Sequence, residues 1–374
     1  MLPIWQQWKP AWSPGWQGGQ VPAGNPWKDL IFTRAGAKFK DNGNGTATLA
    51  PADTPIFGPK GLLIEPAVTN QIIQSNPNTP LWQAQGTPVL TANAGVAPDG
   101  TTTATLLTTD NAGNRVYITP GGSGLYTPSL WLKRISTSGT LNLQSSSGPS
   151  FGNLNVDLAL LGAGWVRVYP GHPATSGLTA WDGGSLVIQG GTGSVSVYLW
   201  GVQNEPGAVV HSLVPTTSGA VTCPGDFARL PTVGIPPGDG TSSLNLTLQG
   251  SAINGSTILD TRPSGEASGW FLGFIDSGKI RWTASGTGTT NADTGALSWT
   301  AGQTYRLRLV RAGPNISLYR DDVLLPMSNS TTQKVVTALG PALIVGANYL
   351  AGAFLDGWLS ALNLGRIRAS QGGG

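Results

Sequence analysis

Ser194-Val195-Ser196-Val197-Tyr198-Leu199-Trp200 is the stretch whose reading decides the fold class. Successive side chains of a β-strand point to opposite faces, so Val195, Val197 and Leu199 share one face and Ser196, Tyr198 and Trp200 the other. Trp165-Val166-Arg167-Val168-Tyr169 repeats the pattern, with Trp165, Arg167 and Tyr169 on one side. Both read as half-buried antiparallel strands. Composition extends that reading to the whole chain. With 54 Gly, 28 Pro and 10% charged residues, turn formers abound and the Glu, Lys and Arg that fill exposed helix faces are scarce. Glu occurs only at Glu65, Glu205 and Glu266, while Thr, Ser, Val and Leu fill the spaces between Gly and Pro clusters, the pattern of many short strands. A chain of 374 residues that is 39% hydrophobic has material for more than one core. At roughly 150 residues per domain, two domains are expected.

Turn chemistry punctuates these strands. Asn42-Gly43-Asn44-Gly45 predicts a hairpin, and Pro98-Asp99-Gly100 and Thr119-Pro120-Gly121-Gly122 mark further turns. The motif register changes after Pro224-Gly225-Asp226, which divides the chain into an arm (1–28), a first sandwich (29–224), a second sandwich (225–370) and a free tail (371–374). The arm carries Trp5, Trp8, Trp12, Trp16 and Trp27 among Pro3, Pro10, Pro14, Pro22 and Pro26. The first four tryptophans imitate a helix face, but Pro10 and Pro14 each remove a backbone donor and clash with the preceding turn, so the arm is predicted to be extended. Each ring brings on the order of 150–250 Å² to a contact that the arm cannot build by itself. Two destinations stay open: an anchor into another protein or a neighbouring subunit, or a path back along the chain's own sandwich.

Charge and cysteine content exclude several classes. The formal charge is +3 at a pI of about 9.0, and Lys and Arg are scattered rather than gathered into a stripe that could track a phosphate backbone, so nucleic acid is not an expected partner. Cys223 is the lone cysteine, which removes any intrachain disulfide framework and agrees with assembly in a reducing cytoplasm. The N-terminus lacks the order of a signal peptide, and the longest apolar run, around Leu158 to Val166, is interrupted by Gly162 and Gly164; membrane insertion is not expected.

Gly61-Leu-Leu-Ile-Glu65-Pro66-Ala-Val-Thr-Asn70 and Trp200-Gly-Val-Gln-Asn-Glu205-Pro206-Gly-Ala, with Ile31-Phe-Thr-Arg34, Tyr126-Thr-Pro-Ser-Leu-Trp131-Leu-Lys133 and Gly164-Trp165-Val-Arg167, resemble a family of tailed-bacteriophage and prophage structural proteins with carbohydrate-binding-module-like sandwiches. The later stretches Ser268-Gly-Trp270-Phe-Leu-Gly273, Lys279-Ile-Arg281-Trp282, Tyr305-Arg-Leu-Arg-Leu-Val310, Ile316-Ser-Leu-Tyr319-Arg-Asp321-Asp322 and Phe354-Leu-Asp356-Gly357-Trp358 resemble the strand series of concanavalin-like or laminin-G-like domains. The resemblance implies two jelly-roll sandwiches in a virion protein of tail-fibre, head-fibre or decoration type, on the tail or capsid exterior. Its partners would be other virion proteins and host surface polysaccharide, and a homo-oligomer, trimeric in phage fibres, is the family expectation. One departure stands at Asp322, where the family hairpin usually has Gly; either an Asp adopts the left-handed conformation or the turn is of another kind.

Chemistry-bearing residues are few. A glycosidase needs two acids roughly 5–10 Å apart across the scissile bond. The three glutamates are far apart in sequence, and the Glu-x-Asp-x-x-Glu pattern of concanavalin-fold hydrolases is missing. Glu65 and Glu205 each precede Pro and read as turn-organising groups. His172 and His211 are too few for a histidine metal cluster, there is no phosphate loop, and Asp321-Asp322 is not by itself a calcium site, so no enzyme activity, cofactor or metal is expected. A sugar face packs its C–H groups on an exposed aromatic ring beside a polar group. Trp165, Arg167 and Tyr169 on one strand face, and Trp181-Asp182 in an expected loop, are the candidate glycan contacts. Arg306 and Arg308 alternate with Tyr305, Leu307 and Leu309 and are expected on the solvent side, with Arg311 and Arg320 near them.

Overall fold

The computed structural model describes residues 27–77, 81–110, 114–119, 124–145, 153–177, 181–182, 186–250, 253–262, 268–286, 288–348 and 353–365. Trp5, Trp8, Trp12 and Trp16, Glu266 and the 371–374 tail lie outside them. The described chain is all-β: its helical elements are single 3-10 turns at Leu158–Leu160 and Asp276–Gly278.

The strands form two units, and the chain alternates between them. Unit 1 holds the described residues up to Thr33, Pro55–Pro66 and the chain from Gly225 onward; unit 2 holds Arg34–Thr54 and Ala67–Pro224. This replaces the expected single boundary at 224/225 and the 29–224 sandwich. Pairing between residues distant in sequence is the reason. Ile31–Thr33 pairs with Phe227–Pro231, and Gly61–Ile64 pairs with Gly357–Gly365, so both early segments complete sheets of the later sandwich.

Unit 1 is a jelly-roll-type sandwich of two seven-stranded sheets among the described residues. One sheet runs Ile31–Thr33, Phe227–Pro231, Ala342–Val345, Thr257–Asp260, Gly269–Phe274, Ile280–Gly286, Gly288–Asp293. The other runs Val323–Leu325, Asn315–Arg320, Thr304–Ala312, Gly240–Leu248, Gly357–Gly365, Gly61–Ile64, Ile56–Gly58. Alternate residues of both, including Trp270, Leu272, Trp282, Leu244, Leu246, Leu307 and Leu309, meet in one core. Trp27 is 5% exposed and belongs to that core, so it is not available as an anchor to another protein. The hairpin tip at Asp321-Asp322 adopts the left-handed conformation at both residues (φ 53° and 65°), the turn that matches strand twist. Asp thus does what Gly does in the family pattern.

Unit 2 pairs two sheets of six strands each among the described residues. Leu130, Leu132, Val195, Val197 and Leu199 of one sheet face Leu141, Leu143, Leu186 and Ile188 of the other. The long central strand Val195–Pro206 is half-buried only at its start; from Leu199 to Glu205 both faces are buried. At Gln203 and Glu205 the cover is the 211–214 segment; at Trp200 it is the Asn42–Gly45 hairpin. Its strands Lys38–Asp41 and Ala47–Ala50 pack Phe39 and Ala47 with Leu213 on Trp131 and Trp200, with the Phe39 and Trp200 rings edge-to-face at 5.0 Å. Gly201 lies where a side chain would strike Leu213 and Trp131, at φ 60°, beside the bulge between Ser129 and Trp131.

A fully buried amide ties the remaining segments of unit 2. Asn70 Nδ2 lies within hydrogen-bond reach of Ser75 Oγ (3.1 Å) and the carbonyls of Val202 (3.1 Å) and Val214 (2.9 Å), while Oδ1 accepts from the backbone N–H groups of Ile72 (3.0 Å) and Asn204 (3.2 Å). Replacement by an apolar side chain strands several buried backbone groups at once, each costing about 1–3 kcal/mol. Asn70→Ala is therefore expected to lower the unfolding free energy by about 3 kcal/mol or more. Urea unfolding checks this, and a loss under about 1 kcal/mol would mean that the network closes without the amide.

Candidate functional site

The outer face of the Val195–Pro206 sheet is only partly covered. Where the 38–50 hairpin ends, Tyr198 and Trp165 stay half-buried, their rings 6.4 Å apart and tilted by 46°. The Trp165 indole donates to the Val96 carbonyl (3.0 Å), which holds the ring in place. Lys133 stands opposite Tyr198 on one neighbouring strand and Leu106 on the other, both half-buried. Directly opposed side chains on one sheet face lie about 5 Å apart at Cβ, so this is a compact patch of two rings, an alkyl chain and an ammonium group.

The sequence-predicted residues divide around it. Trp165 belongs to the patch. Arg167 faces the same side but stands opposite Trp131, is 8% exposed and donates to Ser129 Oγ at 2.9 Å, so its guanidinium is a buried structural group. Tyr169 is exposed, edge-on to His172 at 5.9 Å. Trp181–Asp182 is a short strand, not a loop, and pairs with Leu125–Tyr126, five residues along the strand that Arg167 meets at Trp131. At about 3.3 Å per residue that is roughly 17 Å away, so the five candidates do not make one site. Tyr198 and Lys133 are the patch members that sequence reasoning left out. Tyr198 was visible in the alternation of residues 194–200, on the face opposite the core-forming valines.

The carboxylates serve the backbone. Glu205 Oε1 accepts from Gln203 Nε2 (2.9 Å) and the His211 N–H (2.9 Å), Oε2 lies 2.6 Å from His211 Nδ1, and the residue is 1% exposed. It thereby organises the turn after Pro206, as its place before proline suggests. Glu65 and Asp226 do meet in unit 1, both fully buried, where Asp226 Oδ2 accepts the Glu65 N–H (3.0 Å). Among the described residues no group of three or more His, Cys, Asp or Glu is placed to hold a metal ion, and no helix is long and apolar enough to cross a membrane.

Arg306 and Arg308 lie on the outer side of their strand as expected, but each is engaged locally and Arg311 does not join them. Arg306 is exposed and paired with Asp322 (3.0 Å), and Arg308 lies 3.7 Å over the Tyr319 ring. Arg320 reaches Trp299 and Tyr305 (5.0 and 5.4 Å). Arg311 points inward and is 3% exposed, because it shares the strand face of Leu307 and Leu309.

No family model matches the chain, and no curated protein matches it at a significant level. Among solved structures, similar chains include the mouse laminin α1 chain, domains LG4–5 (13% identity, 70% of this chain and 88% of that one, TM-score 0.30). A tail fibre protein from an E. coli phage aligns at 11% identity over 78% of this chain and 41% of that one, with a TM-score of 0.18. A truncated AlyQ with CBM32 and alginate lyase domains aligns at 10% identity over 72% and 93%, with a TM-score of 0.21. Likeness at these scores assigns no function.

His172 gives the surface beside Tyr169 a pH signature. Burial lowers its pKa below 6.5, and neutral Nδ1 accepts the Ala174 N–H at 3.1 Å. A histidine whose folded pKa lies below its unfolded value contributes stability that is full above the unfolded pKa and is lost as pH falls through the folded one. The His172 ring protons are thus expected to titrate below pH 6.5 in an NMR pH series. The 172–175 turn should loosen over the same range, and titration above that value would contradict the burial.

Proposed function

We propose that the protein is a bacteriophage surface component of tail-fibre or head-fibre type whose unit 2 contacts host surface polysaccharide through the Trp165–Tyr198 patch. The observation that carries this reading is that pair of half-open, fixed aromatic rings beside Lys133 on a sheet face that the protein's own hairpin covers only in part. Pyranose C–H faces stack on such rings, and an ammonium group beside them favours hydroxyl-rich or acidic sugars. The phage attribution rests on the sequence resemblance. The function is binding rather than catalysis, since Glu65 and Glu205 are buried and hydrogen-bonded to their surroundings. Each patch is small, so useful attachment comes from many copies on one particle, for which the family expectation of a trimer is suited. In this reading residues 1–26, with Trp5, Trp8, Trp12 and Trp16, attach the protein to its virion neighbours.

Purified labelled protein is expected to bind host cells saturably and to be displaced by host surface polysaccharide. Tyr198→Ala and Trp165→Ala should each weaken binding about three- to tenfold, the equivalent of a lost ring contact of about 0.5–1.5 kcal/mol, with unchanged circular dichroism. Wild-type binding that polysaccharide does not compete, or alanine variants that bind as well as wild type, would overturn the assignment and favour a decoration role among virion proteins. A deletion of residues 1–26 that spares Trp27 should leave both units folded and abolish incorporation into particles. Normal incorporation would remove the anchor role.

A further inference from the structure

The chain holds three Asn-Gly pairs, Asn42-Gly43, Asn44-Gly45 and Asn254-Gly255. In such a pair the glycine nitrogen can attack the asparagine side-chain carbonyl carbon, since the following residue has no Cβ to obstruct the approach. All three asparagines are exposed, so exposure does not separate them. Their hydrogen bonds do. Gly43 donates its N–H to Asp41 Oδ1 (2.7 Å) and Gly255 donates to the Phe274 carbonyl (3.1 Å), so in both pairs the attacking nitrogen is already committed. The Gly45 N–H has no acceptor among the described residues. The amides differ as well. Asn42 Nδ2 donates to Thr46 Oγ1 (2.8 Å) and Thr48 Oγ1 (3.0 Å), which ties down the nitrogen that would leave. Asn254 Oδ1 accepts one bond, from the Gly278 N–H (3.3 Å). Asn44 Oδ1 accepts two, from the Thr46 N–H (3.2 Å) and the Thr46 hydroxyl (2.7 Å), and no hydrogen bond holds its Nδ2 among the described residues. Donors aimed at a carbonyl oxygen stabilise the negative charge that develops there as a nucleophile adds to the carbon.

We infer that Asn44 is a site of spontaneous covalent modification, converted by its own Gly45 nitrogen and water to aspartate and isoaspartate ahead of Asn42 and Asn254. The Gly45 nitrogen bonds to Asn44 Cγ and gives up its proton. The Cγ–Nδ2 bond breaks, and Nδ2 leaves as ammonia with that proton. Water then opens the cyclic imide at either carbonyl, giving aspartate or, where the former side chain becomes the main chain, isoaspartate. Nothing is oxidised or reduced, and the net change is a hydroxyl in place of an amino group, which ionises at neutral pH. The place of the reaction gives it a structural consequence. A Cβ on Gly45 would lie 2.9 Å from the Trp165 carbonyl, so the tip already packs tightly on the strand end that carries Trp165. Isoaspartate adds a carbon to the main chain at that tip and brings a negative charge, which displaces the tip from Trp165. A weaker glycan contact in the modified protein rests on the proposed Trp165–Tyr198 site; the modification itself does not.

The test incubates the full chain in mildly alkaline buffer with no added enzyme and follows the peptides that hold the three pairs by mass spectrometry, fragmentation separating Asn42 from Asn44. In folded protein Asn44 is expected to convert about two- to tenfold faster than Asn42 or Asn254, the rate equivalent of the hydrogen bond that must first open at Gly43 or Gly255. The preference should shrink in urea, where the fold no longer sets those bonds. Thr46→Val removes the hydroxyl donor and should slow Asn44; if that variant fails to fold, the wild-type comparison still decides. Equal rates at the three positions in folded protein would overturn the proposal, as would an Asn44 that outlasts either of the others. So would a preference for Asn44 that is undiminished in urea, because the cause would then lie in local sequence and not in the hairpin. Host-cell binding by fresh and aged protein is read separately, so a failure of the glycan-binding reading leaves these rates as they are.

Discussion

Asp226 gives its backbone N–H to the Glu65 carbonyl (2.9 Å) and takes the Glu65 N–H on its carboxylate (3.0 Å). Arg34 and Asp53 make the same reciprocal pair in unit 2: the Asp53 N–H meets the Arg34 carbonyl (3.0 Å), and the Arg34 N–H meets Asp53 Oδ1 (2.9 Å). These four residues stand at or beside the points where the chain passes from one unit to the other. Each excursion therefore leaves and returns at hydrogen-bonded neighbours. The longer one is closed a second time by pairing of Val68–Asn70 with Val221–Cys223. A long segment whose ends are brought together costs only slowly more as it lengthens, so a whole sandwich can be carried between Pro66 and Gly225 once those ends are fixed. Arg34 reinforces the shorter closure with guanidinium bonds to the carbonyls of Gly36, Ala50, Pro51 and Thr54. Here a buried cation ties the ends of the excursion just outside its own paired strands Lys38–Asp41 and Ala47–Ala50.

The motifs that gave the clearest resemblance turn out to be these closures and the networks behind them. Arg34, Glu65, Asn70, Gln203 and Glu205 are all at most 1% exposed. Gln203 takes the Val214 N–H on Oε1 (2.8 Å) while its amide donates to Glu205. Buried polar groups must be paired, and pairing fixes geometry, so a fold that relies on them needs the same side chains at the same places. Most of the motif residues report architecture, while the surface patch that carries the proposed function joins two of them, Lys133 and Trp165, to Tyr198.

Strand positions and turns were legible because they rest on local rules. Period-two alternation located the 166–168 and 195–206 strands, Asn-Gly repeats located the 38–50 hairpin, and even Asp321-Asp322 obeyed the turn logic. What local rules leave open is which face of a strand another segment will cover. Alternation put Trp165, Arg167 and Tyr169 on one side, but burial of Arg167 depends on Ser129 in a strand far away in sequence. Arg311, by contrast, was legible locally, since the alternation that turns Arg306 and Arg308 outward puts it in the inward row of Leu307 and Leu309. Trp27 resembled its four neighbours in the arm, and only the core of unit 1 distinguishes it. The interleaving itself follows from pairings such as Ile31 with Arg229, which no window of sequence contains.

The 38–50 hairpin sets the limits of the proposed binding face. It buries Trp131 and Trp200 and stops short of Tyr198, and at its tip Gly45 (φ 83°) comes so close to Trp165 that a Cβ there would lie 2.9 Å from the Trp165 carbonyl. A larger residue at position 45 would push the tip off the strand that orients Trp165, even though it touches neither ring. The geometry of the patch thus depends on a turn whose sequence is chosen for backbone freedom. Changes in the hairpin, rather than in the sheet beneath it, are the easiest way to widen or narrow the exposed aromatic area while the core of unit 2 stays intact, because loop changes leave the packed sheet face undisturbed.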